Sequence, residues 1–149
     1  MTPFDPDRVL ALPLVANLAT VTADGAPRNA PVWFAWEAGV MWMLGAEDGA
    51  SVRRLARDPR CAVEVVEYDN EAGVMRHVGL RGTATVEPMD PALFRRLLAR
   101  YLGPEAGWNP WFITEVARIE DPAGCLIRLA PESVFTNDVS FFRTGPALA

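Results

Sequence analysis

The chain has 149 residues, a length at which roughly 70% of the unfolded surface can be buried, so residues 1–149 are expected to form a single domain without disulfide or metal staples. Half of the residues are hydrophobic, yet no run approaches the roughly 18 consecutive apolar residues of a membrane span, and the single histidine, His77, leaves little material for a zinc site or a Ser-His-Asp triad. Net charge is −5 and all fourteen basic residues are arginine, which argues against general nucleic-acid binding while leaving room for a local anion site.

The segment Met1 to Arg8 carries Asp5 and Asp7 and lacks the basic-then-apolar order of a secretory signal, so a cytoplasmic protein is expected. Leu14 to Ala23 is rich in small and β-branched residues and ends at Asp24-Gly25, the signature of a hairpin turn. The second strand, Arg28 to Glu37, alternates Val32, Phe34 and Trp36 against Trp33 and Ala35. With apolar groups on both faces it should be covered on both sides, one cover being a partner subunit or a ligand. Ala38-Gly39 turns the chain into a third strand, Val40 to Gly45.

From Ala50 to Arg57 the period changes. Val52, Leu55 and Ala56 fall on one side and Arg53, Arg54 and Arg57 mostly on the other, predicting a short amphipathic helix that Asp58-Pro59 ends. Strands are predicted for Cys61 to Tyr68 and, after a polar loop, for about Val74 to Val86. Cys61 falls inside such an apolar run, as does Cys125 further on, and both read as small buried hydrophobes. Asp90 followed by Pro91 is a helix start, and Leu93, Phe94, Leu97, Leu98 and Tyr101 supply its apolar stripe up to Gly103-Pro104. A further short helix is expected within residues 107–119, and two closing strands follow the turn at Asp121 to Gly124. The pattern predicts a mainly β (α+β) domain, with six or seven antiparallel strands and two or three short flanking helices. Closure into a barrel would remove its exposed edges.

The Asp24-Gly25 hairpin, the Pro31-Val32-Trp33-Phe34 segment, the helix end from Leu55 to Pro59 and Arg81-Gly82 in the long strand arrive in a specific order. In this the chain resembles, over nearly its whole length, the pyridoxamine 5′-phosphate oxidase-like split β-barrels that bind FMN or a deazaflavin. The resemblance implies a homodimer with two clefts between the subunits, each receiving a flavin. Pro31, Val32 and Trp33 would line the ring, with Met43, Leu44 and Gly45 on the neighbouring strand. A flat ring wants apolar walls with a few polar groups to fix its orientation. Trp33, Phe34, Trp36 and Trp42 read equally as barrel core or dimer interface.

Family members carry Thr or Ser at the end of the third strand and a basic residue at the start of the next helix. Here Gly45, Ala46, Ala50 and Ser51 occupy those positions, with Glu47 and Asp48 between them. An anion site would then draw on free N–H groups near Ala50, the Ser51 hydroxyl, and Arg53 or Arg54. Arg53, Arg57 and Arg60 recur at roughly helical spacing, as a basic stripe or a solvated face, and Arg28 is either an anion contact or a loop residue. Trp108 and Trp111 would close over the ring or pack a helix. His77 is a candidate proton donor, while haem is not among the expected cofactors.

The implied activity is that of an FMN-dependent oxidoreductase, with a deazaflavin as the alternative cofactor and a small-molecule redox substrate. No side chain need be catalytic, since the cofactor does the chemistry. Pyridoxamine phosphate oxidation itself is not expected, because arginine and lysine positions on the second strand are Ala30 and Ala35. The alternative is a non-catalytic barrel that binds another planar ligand or a partner.

Overall fold

The computed structural model describes residues 3–112 and 123–141. The helix expected within 107–119 falls partly outside them. Among the described residues there are eight strands: β1 (Ala16–Val21), β2 (Pro27–Val32), β3 (Phe34–Glu37), β4 (Val40–Gly45), β5 (Arg60–Asp69), β6 (Val74–Pro88), β7 (Cys125–Leu129) and β8 (Ser133–Asp138). Three α-helices accompany them, α1 (Asp7–Leu10), α2 (Ala50–Arg57) and α3 (Pro91–Leu102). Strand order is β2-β1-β5-β6-β7-β4-β3, with β8 also on β6, and every pairing is antiparallel.

The predicted second strand is two strands. It breaks at Trp33, where β2 leaves β1 and β3 begins pairing with β4, while the Trp33 carbonyl still accepts from Leu44 N at 3.3 Å. Alternation along the sequence cannot reveal such a break, because apolar residues continue on both sides of it. Two-sided cover holds for β3, where Phe34 faces the barrel core and Ala35 faces α3, but most of β2 is exposed.

The fifteen-residue β6 makes the barrel a split one. Along one edge it pairs with β5; along the other, Arg76 to Arg81 pair with β8 and Ala84 to Pro88 with β7. Gly82 lies at the changeover. A Cβ there would come within 3.2 Å of both the Glu132 backbone nitrogen and Leu129 Cδ1, so the crossing chain leaves little room for a side chain.

Turn chemistry agrees with the residues. Ala38 and Gly39 both have positive φ, as a two-residue hairpin of the primed kind requires, and Gly25 has φ 86°. Asp90 caps α3 by accepting from Ala92 N at 2.9 Å and Leu93 N at 3.3 Å, ahead of Pro91 in the first turn.

Inward residues of both sheet halves form the core, including Leu18, Phe34, Met41, Met43, Val65, Leu80 and Leu129, all fully buried. Val9 and Leu10 from α1 enter the same core, as do Val52 and Leu55 from α2. Each such side chain contributes about 1.5–3 kcal/mol by leaving water. Against the outside of the β3-β4-β7 half lies α3, with Leu93 and Leu97 on Ala35 and Leu126. Arg100 on this helix donates to the carbonyls of Leu10, Ala11 and Leu12, and the Tyr101 hydroxyl donates to Leu14 O at 2.7 Å and accepts from Phe34 N at 3.0 Å. These bonds fasten α3 to the chain entering β1. No described helix is long and apolar enough to cross a membrane.

Candidate functional site

Among the described residues, the outer face of the β2-β1-β5-β6-β8 half carries no helix comparable to α3. Register sets its side chains in rows: Pro31, Asn17, Glu64, Gly79 and Phe135 lie directly across from one another, and Asn29, Ala19, Ala62, Arg81 and Ser133 form the next row. Side chains opposite one another share a face. Between these rows is a cavity of about 340 Å³ lined by Asn17, Asn29, Glu64, His77, Arg81 and Phe135, among others.

Phe135 is the aromatic wall of this cavity. Its ring lies over Gly79, where an added Cβ would fall 1.9 Å from Phe135 Cε1, so the glycine makes room for the ring. His77 meets the ring edge-on at 5.6 Å between centroids, and the Arg81 guanidinium lies 5.5 Å from its centre. Two polar atoms here are buried without a hydrogen-bond partner among the described residues: His77 Nδ1 and Asn137 Oδ1. Glu64 Oε1 is 3.3 Å from His77 Nδ1, close enough to pair if the imidazole is protonated, although the contact lacks hydrogen-bond geometry. The face therefore combines an aromatic surface with amide, imidazole, carboxylate and guanidinium groups, and has hydrogen-bonding capacity unused inside the protomer.

Residues expected to line one ring occupy three different surroundings. Pro31 is exposed on the outer face, in the row that crosses the cavity. Val32, its neighbour on a strand, points the opposite way and packs on the barrel core, and Met43 is fully buried there with no surface for a ligand. Trp33 stacks on Tyr101 at 4.4 Å with rings 7° from parallel, and Leu44 packs in the same cluster beneath α3. Gly45 lines a separate groove of about 430 Å³ with Leu44, Glu47, Asp48, Met89 and Phe94.

Among the described residues no cation lines that groove, and a phosphate carrying nearly two negative charges would meet Glu47 and Asp48 there. Cationic groups sit instead at α2. Arg54 Nε donates to Thr20 Oγ1 at 2.7 Å and its Nη2 lies 3.4 Å from Ser51 Oγ, while Arg53 donates to the Asp48 carbonyl. Arg54 and Ser51 thus form a cationic group at Thr20, on the core-side face of β1, and the groove beside Gly45 carries two carboxylates.

Of the two readings of Arg53, Arg57 and Arg60, a basic stripe or a solvated face, the stripe is not continuous. Arg60 is the first residue of β5, and its guanidinium grips Asp58 at 2.6 and 3.0 Å, holding that carboxyl down to about 2. Trp108 packs against Phe94 and Leu98 and donates to Gly103 O at 2.7 Å, which makes it part of the α3 support. Trp111 is about half exposed, edge-on to Phe112. Burial raises the Cys61 thiol to about 11, and burial followed by Glu47 raises that of Cys125, so both stay protonated. Among the described residues no group of three His, Cys, Asp or Glu side chains could hold a metal.

The sequence reading missed Phe135, Asn17, Asn29, Glu64 and Gly79 as site residues. One signal was available: a glycine inside a strand often marks a close approach, and Gly79 is such a glycine.

Residues 7–138 match the family described as "Pyridoxamine 5'-phosphate oxidase". No curated protein matches the chain. Among solved structures, one described as an F420 reductase is 29% identical, with TM-score 0.68, over 89% of this chain and 98% of its own. A FAD-binding protein from Mesorhizobium loti is 18% identical, with TM-score 0.67, over 94% of this chain and 96% of its own. A structure from Listeria innocua described as a putative pyridoxamine 5′-phosphate oxidase is 19% identical, with TM-score 0.61, over 90% and 97%. The last two likenesses concern the fold alone.

Proposed function

Since the chain belongs to the pyridoxamine 5′-phosphate oxidase family, we propose that it is a homodimeric oxidoreductase that uses a flavin-type cofactor, FMN or a deazaflavin, on a small-molecule redox substrate. The observation that carries this reading is the outer-face cavity, where an aromatic wall, two asparagines and the His77 imidazole surround a space of about 340 Å³. A planar heterocycle with alternating donors and acceptors along its edge suits that lining. When bound, the cofactor supplies the hydride or electron transfer. The chain's own groups position it: Phe135 and Pro31 flank the ring, and His77, Asn17 and Asn29 address its polar edge. Arg54, with Ser51, lies at Thr20 on the core-side face of β1 and is assigned no part in this cavity. Trp33 and Leu44 act behind the site by fixing the bend between β2 and β3.

The F420 reductase likeness supports a deazaflavin as a cofactor alongside FMN. The same face supports the dimer. Register places Tyr68, Met75, Phe135 and Val139 together on it, all exposed, beside Glu64 and Arg81. A second copy would cover these apolar groups, pair the two opposite charges across a two-fold axis and enclose the cavity.

A second reading is a barrel that binds a planar ligand without turnover, and Glu47 and Asp48 beside Gly45 favour it. Titrating ligand-stripped protein with FMN, riboflavin and a deazaflavin tests both. Micromolar binding of either phosphorylated flavin, followed by its reduction by a nicotinamide donor, is the expected result; tight binding with inertness to reductants would favour the second reading, and no binding would remove the first.

A further inference from the structure

We propose that Glu64 is the positioning residue of a Glu64–His77 dyad: its carboxylate holds the imidazole with the proton on Nδ1, Nε2 meets the cavity as an acceptor, and the cavity takes a ligand that offers an N–H or O–H there. The dyad rests on the reading of the outer-face cavity as the ligand site. His77 stands on that face with Val66 of β5 opposite it on one side and Asn137 of β8 on the other. Its Nδ1 is buried without a hydrogen-bond partner among the described residues, and Glu64 Oε1 lies 3.3 Å away. Asn137 Oδ1 is likewise buried and unpaired among them. Both flanking strands thus contribute an acceptor oxygen, and one of these is charged.

An imidazole with its proton on Nε2 would turn the Nδ1 lone pair toward a carboxylate in a place closed to water, and acceptor would face acceptor. With the proton on Nδ1 the same contact is attractive, since the protonation of one ring nitrogen follows the partner it is given. Glu64, with 54% of its side chain exposed, needs only a turn about its outer bonds to bring an oxygen into line. The His77 ring is the fixed member, 19% exposed and edge-on to Phe135. Of its two nitrogens Nδ1 alone is buried and unpaired, which leaves Nε2 as the one that a ligand in the cavity reaches. Arg81, the other charged group lining the cavity among the described residues, lies against the Phe135 ring and brings donors alone. A neutral His77 therefore supplies an uncharged acceptor beside them. When the ligand group ionises, its N–H or O–H bond breaks as the Nε2–H bond forms, and Glu64 stabilises the imidazolium so made. The proton donor expected at His77 becomes, in the neutral ring, a proton acceptor.

The chain has one histidine, so nitrogen NMR of the ligand-free protein at about pH 9, where an ordinary imidazole is neutral, reads this tautomer without overlap. The wild type is expected to show a protonated Nδ1 and a bare Nε2. Glu64→Gln, which keeps an acceptor oxygen, should retain that pattern, and Glu64→Leu should lose it in favour of Nε2–H. A protonated Nε2 in the wild type, or a pattern unchanged by Glu64→Leu, would overturn the dyad. Riboflavin and its N3-methyl derivative then probe the cavity by fluorescence titration, since methylation removes the N–H of the ring edge. The wild type should bind the methyl derivative on the order of tenfold more weakly, and Glu64→Leu should narrow that gap. Equal affinities in the wild type would overturn the acceptor role of Nε2. If the wild type binds neither flavin, the flavin reading fails and the tautomer alone decides: Nδ1–H in the wild type and its loss in Glu64→Leu support the dyad.

Discussion

The two halves of the split barrel treat their outer faces in opposite ways. On the β3-β4-β7 half, α3 covers the sheet and uses what the sheet offers: Trp33 is stacked, Ala35 and Leu126 are buried, and Tyr101 satisfies Phe34 and Leu14 at once. On the β1-β5-β6-β8 half the sheet keeps an exposed phenylalanine, two partnerless buried polar atoms and a cavity. Both halves share β6, so topology alone does not separate them. The difference lies in what covers each among the described residues, and it is the basis for proposing the open half as the one that meets a partner and a ligand.

Truncation in the closed half should have the largest effect on folding. Leu97→Ala removes a fully buried side chain between α3 and the sheet and is expected to cost about 2–5 kcal/mol in urea unfolding, with ligand affinity little changed in the folded fraction. Gly79→Ala, on the open half, drives a methyl into Phe135 and should cost about 1–3 kcal/mol while disrupting the cavity. Its signature is loss of binding out of proportion to lost stability. Tyr101→Phe should cost about 1 kcal/mol and leave the dimer intact, as read by sedimentation.

The smallest effect is one of pH. Asp138, at the inner edge of the open half, is held down to about 2 chiefly by the Ser140 hydroxyl, with Arg76 adding to it. A carboxyl depressed in the folded state stabilises the protein above its unfolded pKa, near 4, and that contribution disappears as the pH falls toward about 2. Asp138→Asn should therefore lower the urea midpoint at neutral pH, with the deficit narrowing through that acidic window. A deficit that persisted unchanged at the acid end would mean the carboxylate contributes through shape alone.

Much of the fold was legible because local chemistry and pattern agreed. Asp24-Gly25, Ala38-Gly39 and Asp90-Pro91 mark turns and a helix start by their own conformational needs, and the stripe from Leu93 to Tyr101 is the face that α3 buries. The bend at Trp33 was not legible, since an apolar run reads alike whether it stays in one ladder or passes between two.

Site residues divide by the same logic. Pro31, Val32 and Trp33 are adjacent in sequence, but strand alternation sends the first two to opposite faces and the bend sends the third beneath α3. Ser51 and Arg54 were singled out by the family resemblance, through the positions that open α2. Phe135 reaches Gly79 from 56 positions away (135 − 79), and Arg54 meets Thr20 from 34 away, so register and packing alone reveal them.

The most direct test of the open half as the ligand-binding half is one FMN titration comparing Phe135→Ala with the double variant Glu47→Gln, Asp48→Asn. Losing a stacked aromatic should weaken FMN by on the order of tenfold, while the double variant, altering only the groove beside Gly45, should bind as the wild type does. The reverse, with Phe135→Ala unchanged and the charge-removed groove binding FMN more tightly, would place the cofactor beside Gly45 and contradict the account.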